Sequence, residues 1–323
     1  MTLRTVEHGA ALVRRFKAMG SPCEFRLYGA RAEVAARTAQ AEVARLEAKY
    51  SRYREDSLAT RINRSAGDPA GVEVDSETAR LLDYAATAWR ESGGRFDVTS
   101  GILRRVWNFK AGRVPTREEV GALLPLIGWG QLEWRAPRLV LPRRGMEIDF
   151  GGYVKEYAAD LAAARCRELG VRHGLVDLGG DLAVIGPHPD GRAWRIGVRD
   201  PRAPERALLH LALTGGGVAT SGDYERCMVV DGMRYGHILD PRTGWPVDGL
   251  ASVTVVADAC LVAGTLTTSA MLRGESGGAW LDALDAASVW VDTAGRVGGR
   301  LARSLRATAM PAMRGAERAA LRP

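Results

Sequence analysis

The chain has 323 residues, of which 46% are hydrophobic and 26% are charged, and its formal net charge at pH 7 is +7. This length and composition allow one large buried core or two modest ones. The arginines are scattered and form no basic block interleaved with aromatic residues, which argues against a nucleic-acid-binding protein. No apolar run reaches the roughly 18 residues of a membrane span, so none is predicted.

The N-terminal segment argues against a secreted or lipid-anchored protein, and the cysteines argue against a zinc or redox site. Residues 1–18 carry charges throughout and lack both the apolar core of a signal peptide and a cysteine for a lipid anchor, so we expect a cytoplasmic protein. The cysteines lie far apart and form no CxxC pair: Cys23, Cys166, Cys227 and Cys260. This spacing gives little support to a zinc or redox site, and we interpret the cysteines as buried small hydrophobic residues.

Hydrophobic periodicity and helix-ending residues predict the elements along the chain. In the first half they are a strand at 22–28, a helix at 31–50, a helix from about Ser76, its N-cap, to the glycine pair at 93–94, and a helix that follows the glycine pair at 151–152 and ends before Gly170. In the second half they are strands at 182–186, 193–199, 206–213, 227–231 and 252–257, a helix at about 258–273 and a strand at 289–291. The order is neither strictly βαβ nor all β, and no linker or repeat interrupts it. We therefore predict a single α+β domain spanning residues 1–323.

The first segment with chemical interest is 92–101, at the end of the second helix. Its glycine pair lets the backbone approach a ligand closely, while Asp97 and Thr99 provide a carboxylate and a hydroxyl. Further on, the rings of Trp107 and Phe109 could face a flat ligand. A helix C-cap and a turn with core aromatics account for the same pattern, so both interpretations stay open.

Two further segments also contain glycine pairs. In 147–160, Asp149 ends a strand, the glycines make a turn, and Lys155 falls in the first turns of a helix, where backbone N–H groups suit a phosphate. The segment is neither GxGxxG nor a P-loop, and an ordinary strand-to-helix turn is the alternative. Residues 176–181 (Val-Asp-Leu-Gly-Gly-Asp) indicate a tight strand–turn–strand connection.

The fourth segment combines 219–226 with 235–244 and contains His237, the histidine flanked by polar turn residues. With Asp240 and Thr220 nearby it could act as a general base near neutral pH, although a lone histidine is more often a structural hydrogen-bonding group.

The fifth segment, 263–270, places several hydroxyls on an apolar helix. Gly264 and Thr268 are one turn apart and share a face. Bonding of Ser and Thr hydroxyls back to carbonyls of the preceding turn is the structural alternative.

Taken in this order, the segments resemble the ApbE family of FAD:protein FMN transferases over about residues 15–275. The matching positions are 18–21, 51–53, 56–57, Asn63, 96–99, Trp107, Phe109, 149–152, Lys155, Tyr157, 178–181, 220–224, 237–244 and 252–255. Each element is common by itself, but the ordered set is specific.

The resemblance implies a T-fold-like α+β domain, with mixed or antiparallel sheets flanked by helices, that holds FAD in a cleft. Such enzymes cleave the FAD pyrophosphate, release AMP and attach FMN by a phosphoester bond to a Thr or Ser of an acceptor protein. Carried over by position, the predicted FAD contacts are Met19, Tyr53, Arg95, Phe96, Asp97, Asp149, Lys155 and Ile238. His237 matches the general base that would activate the acceptor hydroxyl.

The resemblance also implies a divalent ion, usually Mg²⁺, beside the pyrophosphate, and here the chain departs from the family. The family run Ala-Asp-Ala-Leu-Ala-Thr corresponds to Ala-Gly-Thr-Leu-Thr-Thr at 263–268, so Gly264 takes the place of the metal-binding aspartate. Thr268 and the backbone carbonyl of Gly152 remain as predicted metal ligands. Because Mg²⁺ usually relies on one or two carboxylates plus phosphates, we expect a weakened site, which Gly264→Asp should restore.

Smaller departures are Glu156 for the usual glycine and Asp177 for the usual asparagine, while Asp258, six residues before Gly264, points elsewhere on a regular helix. We predict an FMN transferase whose activity is limited by its metal site. The alternatives are a non-catalytic member that binds or carries FAD, and an enzyme that uses the fold and the flavin for another reaction.

Overall fold

The computed structural model describes residues 10–203, 205–224 and 227–303, and its architecture is α+β, as predicted. The helices are α1 (Ala32–Tyr50), α2 (Leu58–Arg64), α3 (Ser76–Glu91), α4 (Arg117–Leu123), α5 (Val154–Glu168), α6 (Cys260–Met271) and α7 (Gly277–Ala283). The strands are β1 (Leu12–Ala18), β2 (Ser21–Leu27), β3 (Val72–Glu73), β4 (Glu133–Arg135), β5 (Arg138–Val140), β6 (Gly174–Leu178), β7 (Asp181–Gly186), β8 (Trp194–Arg199), β9 (Ala207–Leu213), β10 (Gly216–Gly222), β11 (Cys227–Val230), β12 (Met233–Gly236), β13 (Leu250–Ala257), β14 (Ala287–Asp292) and β15 (Val297–Gly298).

Eight of these strands form one large sheet in the order β1-β2-β6-β7-β10-β13-β14-β15. Three small sheets accompany it: β3-β5-β4, β8-β9 and β11-β12. All strand pairs in the described part of the chain are antiparallel. The sheets are therefore of the antiparallel kind that the family resemblance allowed.

The large sheet is covered on both faces near its centre, and β7 shows how. Successive side chains of a strand point to opposite faces. Ala183 and Ile185 belong to the core under α1 and α5, whereas Leu182 and Val184 pack with the β8–β9 ribbon. Burial on both faces explains why the sequence of β7 is a nearly continuous apolar run rather than an alternating one.

Small residues bring the helices close to the sheet and to each other. Fully buried alanines of α5 pack beside those of α1, and the Cys166 thiol of α5 lies 3.9 Å from the carbonyl of Ala35. At Gly217 of β10, an added Cβ would collide with the backbone at Cys260, where α6 begins. Glycine at 217 therefore lets the start of α6 lie directly on the sheet.

The predicted helices and strands are confirmed, with ends that differ by at most two residues. One predicted cap was wrong: the N-cap of α3 is Asp75, whose carboxylate accepts from the N–H groups of Glu77 and Thr78, while Ser76 is the first helical residue. The glycine pair after α3 does adopt left-handed φ angles, +67° at Gly93 and +79° at Gly94. Elements absent from the prediction include β1, α2 and the glycine-rich β10, whose weak local patterns are stabilised by their neighbours in the sheet and core.

No helix within the described ranges is long and apolar enough to cross a membrane. Residues 1–9, on which the expected cytoplasmic location partly rests, lie outside the described residues.

Cys23, Cys166 and Cys260 are buried and Cys227 is half-buried, and all four are free thiols.

Candidate active site

The loop that starts the 3₁₀ helix Val98–Arg105 lies beside the turn before α5. The backbone N–H of Asp149 donates to the carbonyl of Val98 at 2.8 Å, and a Cβ at Gly101 would collide with the Asp149 side chain. Phe96 is buried, and its ring is the group nearest to a Cβ built at Gly152, at 3.9 Å. The fold therefore brings the predicted contacts Phe96 and Asp149 together with the predicted metal ligand Gly152.

Asp97 is buried at the same place, and both of its carboxylate oxygens have partners within the protein. Its Oδ1 accepts from the N–H of Thr99 at 2.8 Å and from the Thr99 hydroxyl at 2.5 Å, and its Oδ2 accepts from the N–H of Trp129 at 2.8 Å. The Thr99 hydroxyl oxygen in turn accepts from the N–H of Gly128 at 2.7 Å. Asp97 thus joins two loops, so its carboxylate fixes the shape of this part of the site.

Tyr53 gives the site an exposed ring. Its side chain is among the most exposed of the large hydrophobic residues, at 80%, and its hydroxyl accepts from the Arg52 guanidinium at 3.1 Å. Arg52 also lies 5.1 Å from the centroid of the Tyr53 ring and forms an ion pair with Asp149. Asp149 accepts from the N–H of Gly151 at 2.9 Å. Arg52 thus holds the exposed Tyr53 ring beside Asp149, where the ring is available for stacking.

The tight turn between β1 and β2 lies against the turn between β6 and β7. Met19 adopts a left-handed φ of +51°, and its N–H donates to the Glu47 carboxylate at 2.7 Å. Gly179 has φ +67°, and a Cβ there would lie 2.5 Å from the Cβ of Ser21 and 3.6 Å from the Nζ of Lys155. Only glycine fits this approach. The predicted contacts Met19 and Lys155 therefore flank the same pair of turns.

Lys155 stands in the first turn of α5, and its Nζ lies 2.7 Å from Oδ2 of the buried Asp181 at the start of β7. The first N–H groups of a helix have no helical acceptor and carry the positive end of the helix dipole. A held lysine next to such groups is an arrangement that suits a phosphate.

Glu156, the next residue of α5, is buried, with 8% of its surface exposed. Its Oε2 atom is buried and has no hydrogen-bond partner among the described residues. A Cβ built at Gly264 of α6 would lie 2.6 Å from the Cγ of Glu156 and 2.7 Å from its Oε1. Burial raises the pKa of Glu156 above its ordinary value, and the nearby Asp181 raises it further. The Glu156 carboxylate therefore occupies the space that a side chain at position 264 would need.

The hydroxyls of α6 contact the preceding helical turn and the neighbouring strand β10. Thr265 donates back to the carbonyl of Leu261 and Thr267 back to that of Gly264, both at 2.9 Å, as the structural alternative expects. The Ser221 hydroxyl of β10 lies 2.9 Å from that of Thr267 and 3.3 Å from that of Thr268. Thr268 therefore faces the sheet side of the site, one turn after Gly264.

The loop that carries His237 and Ile238 is held in place by its own hydrogen bonds and by an aromatic cluster. The carbonyl of Ile238 accepts from the N–H of Val247 at 3.0 Å, and the indole N–H of Trp107 donates to the carbonyl of Gly244 at 2.8 Å. Trp107 is buried, with contacts to the rings of Phe109, Tyr235 and Trp245. The structure thus places Trp107 as a support for this loop.

Both groups predicted to assist His237 have other partners. The Asp240 carboxylate pairs with the Arg242 guanidinium at 2.7 Å, and the Thr220 hydroxyl lies 2.9 Å from that of Thr254. Although burial acts to raise the pKa of Asp240, hydrogen bonds from Arg242 lower it below its ordinary value. Asp240 is thus a stable anion whose partner is Arg242.

Arg95 lines an open pocket of about 210 Å³ together with Arg242 and Arg273. The Nε atoms of Arg95 and Arg273 are buried and have no hydrogen-bond partner in the described part of the chain. Burial lowers the pKa of Arg273, and the charges of Arg95 and Arg242 lower it further. Asp240 and Asp248 line the same pocket, so its three guanidinium groups exceed its carboxylates by one positive charge, which favours an anionic group.

The sequence interpretation missed the role of Glu156. Its two components, an acid at 156 and a glycine at 264, were both visible as departures from the family pattern. Their connection was not visible, because the residues are far apart in the chain and meet only through the packing of α5 on α6.

Comparisons with known proteins agree with this geometry. The sequence model of the ApbE family matches residues 19–290. Two proteins named FAD:protein FMN transferase are similar to the chain. The one from Vibrio cholerae is 31% identical over 253 residues, which are 75% of each chain, and the one from Treponema pallidum is 32% identical over 302 residues, which are 82% of this chain and 83% of that protein.

Solved structures are also similar. The crystal structure of the ApbE protein from Thermotoga maritima superposes with a TM-score of 0.84 at 31% identity and covers 91% of this chain and 98% of that one. The flavin transferase ApbE from Vibrio cholerae superposes with a TM-score of 0.80 at 26% identity, over 90% of this chain and 96% of that one.

Proposed function

The chain belongs to the ApbE family, and from this premise we propose that it is an FAD:protein FMN transferase. It cleaves FAD to AMP and joins FMN by a phosphoester bond to a Thr or Ser of an acceptor protein. One observation carries the proposal beyond family membership: glycine-rich turns from distant parts of the chain, which carry Met19, Phe96 and Asp149, meet around the start of α5, where Lys155 lies.

These turns support the binding of an anionic dinucleotide. The start of α5, with Lys155 held by Asp181, accepts a phosphate, and the exposed ring of Tyr53 stacks on a flat ring system. The pocket at Arg95 accepts a further anionic or polar group of FAD. Ile238, the residue after His237, packs against the apolar cluster of β13 and α6.

The transfer exchanges one phosphorus–oxygen bond for another. The acceptor hydroxyl oxygen bonds to the phosphorus of the FMN half while the pyrophosphate bond breaks, and AMP leaves with the bridging oxygen. His237 takes the proton of the attacking hydroxyl as a general base. Its loop is held by Trp107 and by the bond between Ile238 and Val247, so the backbone that carries the imidazole is in place before the acceptor arrives.

A divalent cation such as Mg²⁺, when bound beside Gly152 and Thr268, neutralises charge on the pyrophosphate. Gly152 and Thr268 would hold it through a backbone carbonyl and a hydroxyl, and the Glu156 carboxylate lies against Gly264, one turn before Thr268. Such hard donors suit Mg²⁺. The presence of this carboxylate weakens the case for the alternative, a non-catalytic FAD carrier, since that case rested on the loss of the acid at 264.

Incubation of the full chain with FAD, Mg²⁺ and an acceptor protein that carries a suitable Thr or Ser tests the proposal. We expect AMP release and a fluorescent acceptor band that is lost when the acceptor residue is changed to Ala. FAD binding without AMP release under any divalent metal would overturn the transferase and favour the carrier. Titration should also show tighter binding of FAD than of riboflavin, because the site is inferred to contact the whole dinucleotide.

A further inference from the structure

Two departures from the family pattern meet at one place in the fold. The resemblance places a metal-binding aspartate at Gly264 on α6 and a glycine at Glu156 on α5. In the structure, a Cβ added to Gly264 would lie 2.6–2.9 Å from three atoms of the Glu156 side chain, closer than real Cβ atoms approach. The glycine and the acid have therefore exchanged positions between the two helices, and the acid still points into the same space.

We propose that Glu156 supplies the metal-binding carboxylate of this protein, in place of residue 264. The inference rests on the proposed function, because the metal is the one that accompanies the FAD pyrophosphate. It assigns a ligand that the family pattern does not contain at this position.

The state of the Glu156 carboxylate is the first argument. Glutamate is rarely buried without a partner, because a desolvated polar atom that makes no hydrogen bond costs free energy. Glu156 is 8% exposed, and its Oε2 is buried with no hydrogen-bond partner in the described ranges. A bound cation is the kind of partner that would satisfy this oxygen.

The neighbouring acids supply the second argument, since each of them already has partners. Asp160 of α5 accepts from the N–H groups of Cys260 and Leu261 at 2.9 Å and so holds the start of α6. Asp181 pairs with Lys155. Among these three acids, Glu156 is the one with a buried oxygen that has no hydrogen-bond partner among the described residues.

The location relative to the other predicted ligands is the third argument. Gly152 immediately precedes Tyr153, the N-cap of the helix that carries Glu156. Thr268 lies one turn beyond Gly264, against which the Glu156 side chain is packed. The carboxylate thus lies between α5, which Gly152 precedes, and the turn of α6 that leads to Thr268. No cluster of three or more His, Cys, Asp or Glu side chains suited to a metal occurs in the described part of the chain, so this site depends on one acid plus neutral and phosphate oxygens.

The competing explanation is that Glu156 only fills the space left by Gly264. Glu156→Gln separates the two roles, because glutamine keeps the volume and removes the charge. The matched control is Asp177→Asn, which removes one carboxylate from the neighbouring β6–β7 turn, where Asp177 accepts from the N–H of Gly180 at 2.8 Å. Glu156→Gly combined with Gly264→Asp restores the family arrangement.

Binding of Mn²⁺ to the full chain with FAD and without acceptor protein is measured by electron paramagnetic resonance of the free ion. We expect Glu156→Gln to weaken Mn²⁺ binding by about tenfold or more, with metal-free FAD affinity and thermal stability near the wild-type values. Asp177→Asn should leave Mn²⁺ affinity unchanged, and the double variant should recover it. Absence of Mn²⁺ binding by the wild type, or equal affinity of Glu156→Gln, would overturn the assignment.

The two proposals fail in different ways. A wild-type chain that binds Mn²⁺ through Glu156 but releases no AMP in the transfer assay refutes the proposed function and leaves the ligand assignment standing. A chain that transfers FMN while Glu156→Gln keeps wild-type Mn²⁺ affinity refutes the ligand assignment alone.

Discussion

Helices α5 and α6 pack together at the site, yet their facing turns differ in chemistry. The first turn of α5 carries Lys155 and the acid Glu156, whereas the facing turn of α6 carries Gly264 and hydroxyls. Because a Cβ at 264 would overlap Glu156, only one helix at a time has room for an acidic side chain. The same space between the helices can therefore hold a carboxylate from α5 or from α6, provided that the other helix carries a small residue there.

The effect that bears most directly on this comparison is expected when both helices carry an acid. Gly264→Asp would place a second buried carboxylate against Glu156, and we expect a loss of about 1–3 kcal/mol in the free energy of unfolding. It should also give no gain in FMN transfer, contrary to the restoration expected from the sequence alone. Urea denaturation measures the stability change.

Gly121→Asp is the control for that variant, because Gly121 is an exposed helical glycine with no atom within 4 Å of an added Cβ. Adding Glu156→Gly to Gly264→Asp should return most of the lost stability. If Gly264→Asp by itself were as stable as the wild type, the two side chains would not compete for one space.

A second variant, His237→Ala, tests whether His237 acts in the transfer step and not in the binding of FAD at α5. His237→Ala should lower the rate of FMN transfer by about 10²–10⁴-fold, the usual contribution of a general base, while FAD affinity changes little. His210→Ala, at an exposed position on β9, serves as the control. Rates come from acceptor fluorescence and affinities from flavin titration, and a parallel fall in both would point to a role in binding.

The acids Asp97 and Asp149, which lie on neighbouring loops, should differ in how much each contributes to stability. Asp97→Asn should cost about 1–3 kcal/mol of stability, because an amide cannot accept from all three of the buried donors that Asp97 satisfies. Asp149→Asn should cost less, since it keeps an oxygen for Gly151 and leaves Arg52 partly exposed to water. Thermal unfolding of both variants measures the two stability losses. A larger loss for Asp149→Asn than for Asp97→Asn would contradict this prediction.

The smallest effect is expected from Glu77→Gln. Glu77 is a fully paired acid on α3 and so contrasts with the unpartnered Glu156. Hydrogen bonds from Arg45 and Lys49 outweigh burial and lower the pKa of Glu77 from 4.5 to about 2. Since the folded pKa is the lower one, this contribution to stability is complete above about pH 4.5 and is lost as the pH falls toward 2. Glu77→Gln should therefore flatten the decline of the unfolding midpoint between pH 4.5 and 2.5, and an unchanged profile would contradict the pairing.

Much of the fold was open to prediction because helix and strand periodicities are local. The apolar stripe of α1 and the short strands near β13 could be recognised from a few consecutive residues, and their ends lie within two residues of those expected. β10 was missed because its glycine-rich run has little strand propensity. Its state is decided by hydrogen bonds to β7 and β13 on either side.

The sequence by itself determined the secondary-structure pattern, the family resemblance and the fact that an acid is missing at 264. Only the tertiary structure decided that Asp97 is used to join two loops, that Trp107 supports the His237 loop, and that the acid at 156 occupies the space at 264. The physical reason is the same in each case. Local patterns record which face of an element is buried, whereas the partner of a buried side chain depends on how distant elements pack, and no periodicity encodes that.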